Sequence, residues 1–218
     1  MPETKPTTDY AYWEYTSSKP TQNHAYLWPP VLEMLRRRVP PPTRVLDAGC
    51  GSGGFCGVMR RELGVEVCGC DLSESGIALA RRNAPDCRFE QLSVYDDFVE
   101  AFDTKWDAVV SVEVIEHLYD PFAFLERIRQ SLAPGGIFIL TTPYHGYLKN
   151  LLIALGGRYD RHHTPLNTGG HVKFWSRNTL TAALHRAGFR IVEFRGVGRW
   201  PWLWKSMVVA AEPLPGSC

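Results

Sequence analysis

From Thr43 onward the chain alternates short apolar runs with stretches of helical spacing. Arg44-Val45-Leu46-Asp47 reads as a strand, and Phe55 to Leu63 as a helix. Val65 to Cys70 is a second strand, followed by a helix from Ser73 to Arg82 with the serine as its cap. Cys87 to Leu92 is a third strand. Trp106 to Val112 is a fourth, predominantly apolar as suits a strand covered on both faces. Pro121 to Leu132 places Phe122, Phe124, Leu125 and Ile128 near one helical face. Strand 136–140, helix 179–187 ended by Gly188, and strands 189–194 and 206–211 complete the series. Ahead of it, Pro29-Pro30 predicts a helix from Pro30 to Arg38, stopped by Pro40-Pro41-Pro42. This alternation predicts an α/β, doubly wound parallel sheet with right-handed crossovers. Ligands in such sheets sit beyond the carboxyl ends of the strands.

The 218 residues suit one domain with a core of its own. Apolar residues make up 44%, charged residues 22%, and the formal net charge is +1. That balance lacks the basic excess of a nucleic-acid binder, so no nucleic-acid partner is expected. No uninterrupted apolar run exceeds five residues, against the roughly 20 that span a bilayer. Met1-Pro2-Glu3-Thr4-Lys5 has no apolar signal core, so a cytoplasmic location is expected. None of the six cysteines has C-x-x-C spacing, and Cys68 and Cys70 read as small core residues.

The candidate chemistry gathers at strand ends. Gly49, Gly51 and Gly54 match a G-x-G-x-x-G turn, and Asp71 follows Gly49 by 22 residues. Alone, that pattern also fits a nicotinamide dinucleotide. Asp47 argues otherwise. A carboxylate beside the glycines would repel a pyrophosphate and suits a ligand with a positive group and no phosphate.

Val45 to Gly53 (V-L-D-x-G-x-G-x-G) resembles the first motif of class I S-adenosylmethionine-dependent methyltransferases. Four further segments resemble that family in order: Cys70-Asp71-Leu72-Ser73, Leu92 to Asp96, Ser111 to Leu118 (SVEVIEHL), and Pro134-Gly135-Gly136 through Thr142-Pro143. The resemblance implies a Rossmann-like seven-stranded sheet of order 3-2-1-4-5-7-6 with strand 7 antiparallel. It implies S-adenosylmethionine as cofactor and S-adenosylhomocysteine as product. Asp71 then takes the ribose hydroxyls and Leu72 packs on adenine. Ser93 and the Val94 N–H match the positions that read the adenine edge, although many relatives carry Asp at the Ser93 position. Gly49 and Gly51 pass under the methionine moiety. Asp47 acts there through water or N–H groups, or only orders the glycine turn. Glu113 lies beside the same pocket.

His117 is the general-base candidate, because imidazole titrates near neutral pH; a loop histidine bonded to backbone is the blander reading. Glu116 beside it is a second catalytic candidate or a structural carboxylate. On a helical turn Glu113, Glu116 and His117 share one face, a metal-ligand pattern for a divalent ion such as Mg. That E-x-x-E-H pattern is similar to ubiquinone-biosynthesis O-methyltransferases, and implies O-methylation of a small-molecule acceptor of quinone- or lipid-like kind. N- or C-methylation, a nicotinamide oxidoreductase and a non-catalytic nucleoside-binding domain are the rival functions.

The chain divides into an N-terminal helical and aromatic cap (1–42), a cofactor core (43–143), an insertion (144–176) and a C-terminal helix with strands (177–218). In the insertion, Lys149, Arg158 and Arg161 beside Leu151, Leu152 and Leu155 suggest an amphipathic surface for peripheral membrane contact through 144–163, or an ordinary packed helix. Tyr10, Tyr12, Trp13, Tyr15 and Tyr26, with Trp200, Trp202 and Trp204, are candidates to wall the pocket. His171 and Tyr15 are further site candidates.

Overall fold

The computed structural model describes residue 15 and residues 24–38, 40–163, 165–166 and 169–215. Tyr10, Tyr12, Trp13 and Cys218 lie outside the described residues. Helix α1 (His24–Arg36) leads into strand β1 (Arg44–Ala48), followed by α2 (Gly54–Leu63), β2 (Glu66–Asp71), α3 (Glu74–Asn83) and β3 (Arg88–Gln91). Next come α4 (Phe98–Phe102), β4 (Trp106–Val112), a single 3-10 turn (Ile115–His117), α5 (Pro121–Ser131) and β5 (Leu132–Pro143). The chain closes with α6 (Tyr147–Leu155), α7 (Tyr159–His163), α8 (Arg177–Arg186), β6 (Phe189–Val197) and β7 (Ser206–Pro213).

The seven strands form one sheet in the order β3-β2-β1-β4-β5-β7-β6. Strands β1 to β5 run parallel, and β7 is antiparallel to both β5 and β6. Alternate residues feed opposite faces. Val45, Val67, Ala108, Val110, Ile137 and Val208 pack against α1, α2 and α3. Leu46, Cys68, Val109, Phe138, Leu140 and Val209 pack under α4, α5 and α8. Each such side chain, removed from water, contributes about 1.5–3 kcal/mol. Trp106 departs from strict alternation: it joins the Val109 face although Ala108, two positions on, belongs to the other. The β4–β5 register shifts between those two residues, as an extra residue in a ladder allows.

The caps explain the helix starts. Ser73 accepts from the Gly76 N–H, Asp120 from those of Phe122 and Ala123, and Ser176 forms a capping box with Thr179. Helix α1 begins earlier than the prolines suggest and carries Pro29 and Pro30 inside it. Leu27, Val31 and Leu35 line one fully buried stripe, and that burial outweighs the two N–H groups the prolines lack. The five described cysteines are all free thiols, four of them buried. No described helix is long and apolar enough to cross a membrane.

Candidate active site

All five parallel strands deliver their carboxyl ends to one rim. After β1 the chain turns on Gly49 and Gly51, both with positive φ (86° and 54°). A side chain at Gly49 would meet Val114 Cγ2 at 2.5 Å, and one at Gly51 would meet the Tyr15 hydroxyl at 2.8 Å. The backbone therefore lies bare toward the rim. Asp71, closing β2, accepts from the Gly51 N–H at 2.8 Å and the Ser73 N–H at 2.9 Å. Burial raises its pKa, and these two bonds pull the other way. Its carboxylate thus holds the glycine turn while keeping further lone pairs.

Asp47 is buried, and its Oδ1 has no partner among the described residues. Its Oδ2 accepts only the Cys56 thiol at 3.3 Å. Burial pushes the Asp47 carboxyl up to about 7. A buried acid left this way is stabilised by a cationic ligand group. The Tyr15 backbone N–H donates to Ser75 Oγ at 3.0 Å. Its phenol is raised above its ordinary pKa by burial and by the charges of Asp71, Cys50 and Asp47, so the ring covers the same pocket.

On the adenine side, Leu72 is half-buried and its carbonyl accepts from Gln91. Ser93 sits in a tight turn: its N–H donates to Asp96, and its hydroxyl accepts from the Tyr95 N–H at 3.2 Å. The Val94 N–H makes no hydrogen bond to a described residue.

Past β4 the chain does not continue as one helical turn. Glu113 takes a left-handed φ of 55°, and the 3-10 turn starts only at Ile115. The expectation that Glu113, Glu116 and His117 share a helical face is therefore corrected. Glu113 is held by the Thr141 hydroxyl at 2.9 Å and the Ser206 hydroxyl at 3.4 Å, and burial raises it to about 7. Glu116 is buried, its Oε2 accepting from Thr142 at 2.9 Å and its Oε1 unpartnered among the described residues. Burial, then the charge of Glu113, holds its carboxyl well above the ordinary range. The Glu116 carbonyl accepts the N–H groups of Val172 and Lys173, both at 2.9 Å, which pins the 169–173 loop over the turn. That brings His171 to His117, ring centroids 4.9 Å apart. One ligand atom from each of Glu116, His117 and His171 lies within 4.8 Å of the other two, so His171 stands where Glu113 was expected in a metal set. His117 Nδ1 lies 2.9 Å from the Gly169 carbonyl, which sets Nδ1 as donor and leaves the basic lone pair on Nε2. Burial keeps His117 below the usual imidazole range despite that bond.

A second group lines the insertion side. Lys149 was expected on an amphipathic surface, but it is only 5% exposed. Its Nζ donates to the Tyr144 carbonyl at 2.6 Å. His145, His162, His163 and Phe174 pack ring to ring beside it. Tyr144 and the part-exposed Trp202 meet Trp204 at 5.1 and 5.6 Å, whereas Trp200 is largely exposed, and Trp28 stacks on Phe55 within the core. Nothing along the chain marks Thr141, Thr142 or Ser206 as holding the two glutamates. Hydroxyl residues inside apolar strands carry no periodic signal.

The sheet order with β7 antiparallel, the bare glycine turn and the acid closing β2 define a class I S-adenosylmethionine-dependent methyltransferase. Residues 12–194 match the family model described as a methyltransferase domain, and the chain belongs to that family. It is 31% identical over 156 residues to the ubiquinone biosynthesis O-methyltransferase of Dinoroseobacter shibae, covering 71% of this chain and 62% of that protein. It is 32% identical over 165 residues to that of a Ruegeria species, covering 74% and 66%. The matches thus span just under two thirds of those relatives' length. Among solved structures, magnesium protoporphyrin IX methyltransferase from Synechocystis with bound SAH superposes with a TM-score of 0.64 at 20% identity, covering 84% of this chain and 80% of that one. The 1,6-didemethyltoxoflavin-N1-methyltransferase of Burkholderia thailandensis gives 0.62 at 20% identity, covering 86% and 78%. At such identities these two show the fold.

Asp47 yields a pH prediction. With its folded-state pKa near 7, the carboxyl must lose a proton before it meets a cationic ligand. S-adenosylmethionine affinity is expected to rise from pH 6 to pH 8, by up to about tenfold per unit below the pKa. Calorimetry across that range checks it, and a flat profile removes Asp47 from cofactor binding.

Proposed function

We propose that this chain transfers a methyl group from S-adenosylmethionine to a hydroxyl oxygen of a small molecule. S-adenosylmethionine supplies an electrophilic methyl carbon on a sulfonium. The residues divide the work. Gly49 and Gly51 give bare backbone for the methionine moiety, and Asp47 offers a carboxylate to its ammonium. Asp71 offers its remaining lone pairs to the ribose, and Leu72, Ser93 and the Val94 N–H border the adenine. His117 takes the acceptor proton on Nε2 as the oxygen bonds to the methyl carbon and the S–CH3 bond breaks. Products are a methyl ether and S-adenosylhomocysteine.

The observation that carries the oxygen acceptor is the cluster of Glu116, His117 and His171. A divalent ion held there, with His117 Nε2 serving as a ligand in place of its role as base, would lower the pKa of a bound hydroxyl so that its proton leaves to solvent. The donor set fits such an ion, because Glu116 Oε1 is buried without a partner and two imidazoles face it. Nitrogen donors favour Mn or Zn over Mg. The relatives named above as O-methyltransferases support the same acceptor atom. The test uses labelled S-adenosylmethionine with a catechol, with and without thorough chelation. Label on the catechol oxygen is expected, falling on chelation. Label only on amine or carbon acceptors would sink the oxygen reading, and undiminished activity after chelation would remove the metal.

Contact with an anionic membrane through 144–163 belongs to the same proposal. Tyr147, Leu148, Leu151, Leu152 and Leu155 are exposed along α6, with Arg158 and Arg161 beyond it. Apolar area next to cations suits a lipid interface. Co-sedimentation with phosphatidylserine vesicles, lost in Leu152→Glu/Leu155→Glu, checks this; equal pelleting of both proteins rejects it.

A further inference from the structure

Tyr15 lies far from the cofactor motifs along the chain and is seated among them in the fold. Its backbone N–H donates at 3.0 Å to the hydroxyl of Ser75, 60 residues on, in the first turn of α3. Two glycines make room for its half-buried ring. A Cβ at Gly51 would lie 2.8 Å from the Tyr15 hydroxyl and 3.0 Å from Cε1 and Cζ. One at Gly76 would lie 3.0 Å from Cδ2 and 3.2 Å from Cε2, on the opposite edge of the same ring. Packed atoms do not approach so closely. Gly76 has no positive φ that demands glycine, and alanine would favour α3 there. Its missing Cβ instead admits the ring and the Gly51 carbonyl, which that Cβ would meet at 3.1 Å. The ring therefore bridges the turn after β1 and the start of α3. Gly51 is also the residue whose N–H Asp71 accepts at 2.8 Å, so Tyr15 stands beside the acid that closes β2. Burial, then the charge of Asp71, raises its phenol, which agrees with that placement and keeps the hydroxyl a neutral donor.

We propose that Tyr15 is a cofactor-binding residue whose ring walls the ribose side of the pocket and retains S-adenosylmethionine before transfer and S-adenosylhomocysteine after it. This rests on the methyltransferase reading above and adds to it a residue outside the cofactor motifs. That reading puts Gly51 under the methionine moiety and Asp71 on the ribose. A ring lying on Gly51 beside Asp71 is in reach of a ligand that both of them hold. Tyrosine suits the place, because it offers an apolar body to the ligand and a hydroxyl at its tip. The cradle fixes the ring from both edges, and the Ser75 hydroxyl fixes its backbone, so little freedom is left to lose when a ligand arrives. Contacts of this kind act chiefly on the rate of escape.

The rival role for Tyr15 is packing against α3 with no part in binding, and the variants separate the two. A chase of labelled S-adenosylhomocysteine from the full chain gives its dissociation rate, calorimetry gives its Kd, and a melt without ligand reports packing. Tyr15→Ala is expected to speed dissociation by about tenfold, with a matching rise in Kd and an association rate near that of the wild type. Tyr15→Phe keeps the ring and should retain most of the slow release. An unchanged dissociation rate in Tyr15→Ala, with only the ligand-free melt lowered, overturns the proposal in favour of packing. Association and dissociation rising by the same factor, so that Kd is unchanged, also overturns it, as does a loss in Tyr15→Phe equal to that in Tyr15→Ala. If Tyr15→Ala fails to fold, Tyr15→Leu, which keeps apolar bulk against α3, decides alone: faster release supports the wall and unchanged release overturns it. Failure of the wild-type chain to bind S-adenosylhomocysteine would strike the methyltransferase reading instead.

Discussion

Asp71→Ala should weaken S-adenosylmethionine binding by about tenfold to a hundredfold, since hydrogen bonds to a charged group are worth about 1.5–3 kcal/mol. The loss has two origins. The carboxylate would no longer meet the ribose hydroxyls. It would also release the Gly51 and Ser73 N–H groups it now holds at 2.8 and 2.9 Å, and with them the shape of the glycine turn. Asp71→Asn separates these contributions in part, because its oxygen can serve one N–H while its NH2 opposes the other. Calorimetric titration alongside a thermal melt gives the measurement. Unchanged affinity in a folded Asp71→Ala protein would remove the ribose assignment.

His117→Ala should lower turnover by about 10²–10⁴-fold, the usual range for a positioned acid or base. Cofactor affinity should stay nearly level, because His117 meets the Gly169 carbonyl and the His171 ring, on the acceptor side. His171→Ala should cost less, since it removes a neighbour of the base and not the base. The wild-type rate should fall as pH drops through the His117 pKa. That pKa lies below the ordinary imidazole value because burial disfavours the charged ring, so the neutral base persists into mildly acidic solution. Turnover measured across pH, beside the cofactor Kd, tests this. An unaffected rate in His117→Ala would take it out of the mechanism.

The strand-end placement of the candidate cofactor residues was legible along the chain. The glycines, Asp47, Asp71 and the Ser93-Val94 pair occur at strand ends, and a parallel sheet with right-handed crossovers sends those ends to one rim. The acceptor half was less legible. Glu113, Glu116 and His117 suggest one helical face, but a left-handed Glu113 breaks that turn. Lys149 reads as a surface cation in an amphipathic segment, yet the carbonyls of Tyr144, just after β5, and Lys205, just before β7, draw it inside. Helix α4, at five residues, is too short for periodicity to announce.

What the amino-acid order alone determined was the alternation of strands and helices, the strand-end chemistry and the family they resemble. These follow from local spacing, which acts within a few residues. Tertiary structure alone decided that His171 joins Glu116 and His117, that Thr141 and Ser206 hold Glu113, and that the Lys149 ammonium meets the Lys205 carbonyl. Those contacts join residues about 30 to 90 positions apart. Their pairing depends on which strand lies beside which and on how one loop is pinned by two hydrogen bonds, and no local pattern encodes that.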